Sequence, residues 1–317
     1  MSDNSIICAG IDIGKQKLDV AVCGVKAALQ ADNTSAGHEK LIAWLRHHKV
    51  KRVGVEATGG YEQGIVQALR REGLPVIVFQ PIQVRAYARF RLKLAKNDKI
   101  DASLIATCVA SVDDVRAAPD PRFEGFAAAQ TLIDQLTDDI VLYKTRRETA
   151  HNEHSRAFWE REIAGRKAQV RSALKTLRTE MRAYADIAAK LDLITSVQGI
   201  AEKSAIAILI RMPEIGTLSR EQVAALAGLA PYDDDSGRRA GNRHIQGGRT
   251  RLRTSLYAAA LPAAFFWNPQ LVTFYKRLRD NGKTHKMALV ACARKLLIFI
   301  NTVVARATPW QPKPALI

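Results

Sequence analysis

Asp12 stands in the run "GIDIG", Glu56 in "GVEATGGYE", and Asp98 and Asp101 in "KNDKIDASLIA". The last two are three residues apart in a stretch with helical spacing, so both project from one helical face. Four carboxylates gathered from distant segments repel one another unless cations sit between them. Hard oxygen ligands of this kind suit a pair of Mg²⁺ ions, with a substrate phosphate completing the coordination. Two such ions activate an attacking oxygen and stabilise a leaving one. A fifth group, Ser236, lies in "PYDDDSGRRAGNRHIQGGRTRLR", residues 231–253. Four glycines there allow a bulky partner to approach the backbone, and Arg238, Arg239, Arg243, Arg249, Arg251 and Arg253 offer forked donors to phosphate oxygens. A cationic cage with a metal or base turns an unreactive hydroxyl into a nucleophile toward a phosphodiester. Each group also has a plain structural reading. Asp98 and Asp101 suit the first turn of a helix, Glu56 a solvated strand end, and "DSG" a turn.

Charge favours a polyanionic partner. The 317 residues hold 48 Lys and Arg against 31 Asp and Glu, a net charge of +17. A second basic stretch, "QVRAYARFRLKLAKNDK", carries Arg85, Arg89, Arg91, Lys93 and Lys96 beside the acidic pair. Arg85 and Arg89, four apart, share a face that can follow a phosphate backbone. The four cysteines form no CxxC pair, which predicts neither a zinc site nor a disulfide framework and fits a reducing cytoplasm. No basic segment followed by an apolar core opens the chain, so no signal peptide is expected. "MALVACARKLLIFINTVVA" is interrupted by Arg294, Lys295 and Asn301; it predicts a buried helix rather than a membrane span.

The elements that must position these groups follow from periodicity. "SIICAGIDIG" and "KLDVAVCGV" read as a hairpin, "KAALQADN" as a third strand, "GHEKLIAWLRHH" as a helix, and "KRVGVEA", "YEQGIVQALRREG" and "PVIVF" as strand, helix, strand. Three antiparallel strands followed by alternating helix and strand is the order of a ribonuclease-H-like mixed sheet. It places Asp12 on the central first strand and Glu56 near the end of the fourth; Asp19, on the second, is expected to face solvent. Sugar kinases and actin-like ATPases also open on a "DIG" hairpin, but they need a repeated second lobe, and no repeat is found. From about Glu124 to Leu191 the chain lacks proline and carries two heptad-like seams. One is Leu132, Leu136, Ile140 and Tyr143; the other is Val170, Leu174, Leu177, Met181, Tyr184 and Leu191. This predicts a long coiled-coil hairpin turning near "IAGRK" and suited to dimerisation. "LITSVQGIAEKSAIAILIRM" resembles a helix-hairpin-helix, whose turn amides contact phosphate. "SREQVAALAGLAPY" predicts a helix opened by Ser219 and closed near Gly228.

These stretches, in order over nearly the whole chain, resemble the DEDD transposases of the insertion-sequence "one-ten" family. The resemblance is carried by "GIDIGKQKLDVAV", "GVEATGGYE", "KNDKIDASLIA", "VQGIAEKSAIAIL", "LAGLAPYDDDSG" and "GGRTRLRTSLYAAAL". It implies a RuvC-like domain (1–120), a coiled-coil arm (121–193) and a mainly helical transposase domain (194–317). It implies that Asp12, Glu56, Asp98 and Asp101 form the Mg²⁺-binding tetrad. Ser236 then falls where that family's serine attacks DNA to form a covalent phosphoserine. It further implies donor and target double-stranded DNA as substrates, a structured guide RNA, and a dimer assembled into a tetramer whose half-sites come from different protomers. Two other readings of the same residues remain: a metal-dependent nuclease of the RuvC type in which Ser236 only makes a turn, and a nucleic-acid-binding scaffold. Asp235 is a candidate to orient the serine, and Tyr232 is a rival nucleophile.

Overall fold

The computed structural model describes residues 6–92, 98–113, 120–232 and 243–311, with backbone alone at 98–100. Two compact units divide the chain, Met1–Pro119 and Asp120–Ile317.

The first unit holds β1 (Cys8–Ile13), β2 (Lys17–Val22), β3 (Ala28–Asp32), α1 (Ser35–His47), β4 (Arg52–Glu56), α2 (Gln63–Arg71), β5 (Val76–Phe79), α3 (Pro81–Phe90) and α4 (Asp98–Ala110). The sheet order is β3-β2-β1-β4-β5. The first three strands pair antiparallel, while β4 runs parallel to both β1 and β5. This is the ribonuclease-H-like mixed sheet that the strand pattern predicts. Alternation along β1 sends Ala9, Ile11 and Ile13 into a core with Leu41 and Leu45 of α1 and Ile65 and Leu69 of α2. Cys8 faces the other way, toward Ile105 and Val109 of α4 and Val84 of α3. On this second face Gly10 and Gly54 let α4 lie against the sheet. A Cβ on Gly10 would come within 2.3 Å of the Ala102 carbonyl oxygen, and one on Gly54 within 2.1 Å of Val109.

The second unit begins with two long helices, α5 (Arg122–Glu148) and α6 (Glu153–Arg182), followed by α7 (Ala185–Ser196), α8 (Glu202–Arg211) and α9 (Arg220–Leu226). A two-residue pair follows, β6 (Pro231–Tyr232) with β7 (His244–Ile245), then α10 (Thr250–Pro262), a π-helical turn (Ala263–Trp267), α11 (Pro269–Asp280) and α12 (His285–Ala305). Its core takes Phe126 and Ile133 from α5, Leu177 and Met181 from α6, Leu209 from α8, Leu256 from α10, and Leu296 and Ile300 from α12. The arm and the C-terminal third thus share one core. By length and composition α12 is apolar enough to cross a membrane. It nevertheless buries Leu289, Cys292, Leu296, Leu297 and Ile300 in this core.

The helical arm departs from the sequence reading in two ways. The chain does not turn at residues 163–167: "IAGRK" lies inside α6, and the turn falls between Glu148 and Glu153. A Cβ on Gly165 would touch nothing within 4 Å, so this glycine sits on an open helical face. Such a residue costs a helix only about 1 kcal/mol, too little to break thirty residues of packed helix. The true stop is marked by Asn152, whose side chain accepts from the Ser155 amide at 2.7 Å and caps α6. The α5 seam fits in part: Leu136, Ile140 and Tyr143 are half-buried, whereas Leu132 is exposed beside the buried Ile133. The α6 seam holds for Val170, Leu174, Leu177 and Met181, but Tyr184 and Leu191 lie beyond its end. Arg166 pairs with Asp139, and Tyr143 stacks on Trp159 with 5.3 Å between centroids, so α5 and α6 run antiparallel.

Candidate active site

The β1–β4 register pairs Ile11 with Val55, so its next step sets Asp12 beside Glu56 on the α4 face of the sheet. The direction of α4 then decides where its aspartates go. Arg52, at the start of β4, donates to the Val112 carbonyl just past the end of α4 at 2.5 Å. Gly54 meets Ile105 and Val109, and Gly10 meets Ala102 and Ala106. The helix therefore runs antiparallel to β1 and β4. Its first turn, with Asp98 and Asp101, lies toward the carboxyl ends where Asp12 and Glu56 stand. The carboxyl end of parallel strands is where open α/β sheets place ligands. Asp12, Glu56 and Asp101 are each half-buried, and the side chain of Asp98 lies outside the described residues.

Asp19 does not point away from this group. It pairs with Asp12 across the β1–β2 ladder and so shares its face, half-buried, accepting from Gln30 Nε2 at 2.9 Å. Like charges directly opposite in a ladder are unfavourable, and a cation at this end would relieve them. The donor set, all hard carboxylate oxygens, suits Mg²⁺. Among the described residues no three His, Cys, Asp or Glu side chains are grouped to hold a metal ion.

A polar network that the sequence did not reveal ties the loops behind these carboxylates. Asn33 Nδ2 donates to the carbonyl of Gly14, two residues after Asp12, and to that of Tyr61, in the loop after Glu56, both at 3.1 Å. With its amide so used, Asn33 Oδ1 accepts from His38 Nε2 at 2.8 Å, which assigns the proton to that nitrogen. Burial lowers the His38 pKa and favours the neutral ring. Glu62 folds the loop onto itself, accepting from the Thr58 amide and hydroxyl and from the Gly60 amide at 2.8–3.1 Å. Burial opposes its charge, but hydrogen bonds from its own amide, Gly60 and Thr58 outweigh that and hold its pKa low.

Ser236 lies outside the described residues, as do Asp233, Asp234, Asp235, Arg238, Arg239, Lys93 and Lys96. What is described is the frame of the serine segment. Tyr232 pairs with His244, closing the segment at its base. Beneath that pair, Gly228 and Gly248, both in the left-handed region, approach so closely that a Cβ on Gly248 would lie 2.1 Å from the Gly228 nitrogen. Arg253 clamps this contact by donating to the Gly247 and Gly228 carbonyls at 2.7 and 3.4 Å. Ser219 caps α9 and, with Gln222, forms a capping box, as its sequence predicts.

The arginines of 231–253 divide by partner. Arg249 forks onto Glu214 at 2.6 and 2.9 Å and donates to the Arg211 carbonyl. Arg251 forks onto Asp138 at 2.5 and 3.0 Å. Together with Arg253 these side chains brace the fold, and the acids that hold them stand too far away in sequence to be foreseen. Arg243 is exposed, as are Arg85, Arg89 and Arg91 on and just after α3.

A five-stranded mixed sheet with acidic residues at the carboxyl ends of its two central parallel strands places the first unit in the ribonuclease-H-like class. A family model described as a transposase, for DEDD proteins of IS110 elements, matches residues 9–149. A second, described as the transposase of the IS116/IS110/IS902 family, matches residues 191–276. The pilin gene-inverting protein of Moraxella bovis is 23% identical over 96% of this chain and 97% of its own length. An uncharacterized 42 kDa protein of insertion element IS900 from Mycobacterium paratuberculosis is 39% identical over 25% of this chain and 20% of its own. Among solved structures, Thermus thermophilus RuvC in complex with a Holliday junction substrate aligns at 17% identity. It covers 32% of this chain and 91% of its own, with a TM-score of 0.27. The chain carries IS110-family transposase domains at both ends, and it is a DNA transposase or recombinase.

Proposed function

We propose that the protein cuts and rejoins donor and target DNA through a covalent link between Ser236 and a DNA phosphate. In this reading Asp12, Glu56, Asp98 and Asp101 hold two Mg²⁺ ions, with Asp19 as a neighbouring acid. The observation that supports it is the antiparallel run of α4 across β1 and β4, which turns the first turn of α4 toward the strand ends that carry Asp12 and Glu56. The bound ions would supply charge neutralisation at the scissile phosphate and acidify the attacking hydroxyl. Ser236 Oγ forms a bond to phosphorus as one sugar oxygen departs, the serine proton passing to solvent or a neighbouring carboxylate and the departing oxygen taking a proton from solvent to become a hydroxyl. Attack by a hydroxyl from another strand then restores the phosphodiester and the serine, so no external energy source is needed. The exposed Arg85, Arg89, Arg91 and Arg243 contact phosphates, and the α7–α8 turn acts as a helix-hairpin-helix.

Two further parts of the reading rest on the family resemblance and on charge. A structured guide RNA pairs with donor and target, so the protein reads few bases itself. The arm joins protomers, since Val141, Leu142 and Phe158 stay exposed near its tip; two such dimers form the tetramer. The reaction takes place in the cytoplasm, on the chromosome. The test is a denaturing gel of labelled DNA with Mg²⁺ and the element's RNA, run with wild type, Ser236→Ala and Asp12→Ala. A protease-sensitive slow band in wild type alone supports the reading. Free ends from both wild type and Ser236→Ala, with no such band, would assign the protein as a metal-dependent nuclease. Cutting that survives Asp12→Ala would remove the carboxylates from the chemistry.

A further inference from the structure

We propose that the π-helical turn before α11 is a stacking platform for unpaired bases of single-stranded DNA. Phe265, Phe266 and Trp267 occupy consecutive positions there and are 40%, 78% and 64% exposed. Large aromatics are rarely left in water on a soluble surface without a partner. The turn is also held firmly. The Asn268 amide closes it onto the Ala263 carbonyl at 2.9 Å. The Asn268 side chain, fully buried, accepts from the Leu271 amide and donates to the Gln198 carbonyl, both at 3.2 Å. π-Helical turns recur at functional sites because they re-aim side chains at the cost of regular helix. Here the turn presents rings on a fixed base, pinned to the α7–α8 loop.

The surroundings select the occupant. Phe265 packs on Tyr275 at 5.0 Å between centroids, and Tyr275 shares a 2.7 Å hydrogen bond with His285. Beyond this pair lie the exposed cations Arg279, Lys283 and Lys286, with Asp280 the acid of this stretch. Arg279 donates to the Lys283 carbonyl at 2.6 Å, which gathers two of those cations at the end of α11. Exposed rings with cations at the neighbouring end of α11 and start of α12 match a strand whose bases stack while its phosphates meet those cations. A second copy of this face would set its own cations against the first, on a chain already at +17. Recombination supplies the ligand, since DNA strands leave their partners when they are exchanged. The inference does not depend on Ser236, and Ser236→Ala should bind single strands as wild type does.

The test is fluorescence anisotropy of the full-length protein with a labelled oligodeoxythymidylate, a duplex of equal length and an RNA of matching sequence. The Phe266→Ala/Trp267→Ala double variant is expected to bind the single-stranded DNA at least about tenfold more weakly. Its duplex affinity and melting temperature should be unchanged, and Trp267→Phe should bind nearly as wild type. Unaltered single-strand affinity in the double variant would overturn the proposal. So would a loss confined to RNA, a loss confined to anionic phospholipid vesicles, or a change of oligomeric state in sedimentation with DNA binding intact. The last three would assign the platform to RNA, to a membrane surface or to a second copy of the chain.

Discussion

The acidic end of the sheet and the serine segment would place the residues proposed to react by different means. Asp12 and Glu56 ride on β1 and β4, each paired with a strand on both sides, and Asp101 on α4, whose Leu104, Ile105 and Val109 are buried. For Ser236 the described structure supplies the frame: the Tyr232–His244 pair, the Gly228–Gly248 contact and the Arg253 clamp. Ligands that share an ion must hold their mutual geometry, which strands and helices do better than loops. A nucleophile that must meet DNA needs a segment anchored at its base.

The largest effects should come from the two positions proposed to react. Asp12→Asn and Ser236→Ala are each expected to lower strand exchange by at least about 10³-fold with unchanged melting temperature. Asp12→Asn alone should reduce Mg²⁺ binding in calorimetry, which separates the two sites. Gly248→Ala tests the frame. A side chain there meets Gly228 and a left-handed backbone, a strain of about 1–2 kcal/mol or more before the clash. Adduct formation should fall while Mg²⁺ binding stays; an adduct yield equal to wild type would show that the frame is dispensable.

Asn33→Asp removes both donors to the loops behind Asp12 and Glu56 while keeping shape. An increase of about tenfold in the Mg²⁺ concentration needed for half-maximal activity is expected. Asn33→Gln should restore less than wild type, because its longer arm displaces the same amide. The arginines sharpen the contrast next. Arg249→Ala should cost about 1–3 kcal/mol of stability by removing the forked pair with Glu214 and the bond to the Arg211 carbonyl, leaving the salt dependence of DNA binding as it was. Arg85→Ala should leave stability alone and reduce the slope of log affinity against log salt by about 1.

The smallest effect concerns the start of the second unit. Arg122 forks onto Asp186 and Asp120. Hydrogen bonding to Arg122, against a smaller opposing effect of desolvation, brings the Asp186 carboxyl down to about 2. Its folded pKa is depressed, so its contribution is complete above the ordinary aspartate range and fades as pH falls toward 2. Asp186→Asn should lower the melting temperature slightly at neutral pH and not at all at the acid end.

The sheet was legible because each strand carries its own apolar run and turn residues, and β1 and β4 end on the carboxylates themselves. Asp98 and Asp101 were legible as a pair, but the direction of α4 depends on Gly10 and Gly54, whose role appears only when the helix is seen lying on them. Asp19 was read as facing solvent and Asn33 was not singled out, because cross-strand register and side-chain-to-carbonyl bonds leave no periodic trace. Arg249 and Arg251 looked like phosphate ligands since their acids, Glu214 and Asp138, are 35 and 113 residues away. Gly165 looked like a hinge because glycine is a poor helix former, yet packing on either side of it outweighs that preference.

The central claim, that Ser236 is the atom donor in the covalent step, is tested most directly by mass spectrometry of the trapped complex. Trypsin and nuclease digestion should yield the peptide 221–238, "EQVAALAGLAPYDDDSGR", carrying one nucleotide. Fragmentation is expected to place the phosphate on Ser236. A nucleotide on Tyr232, or a fully unmodified peptide from protein that has cut its DNA, would contradict it.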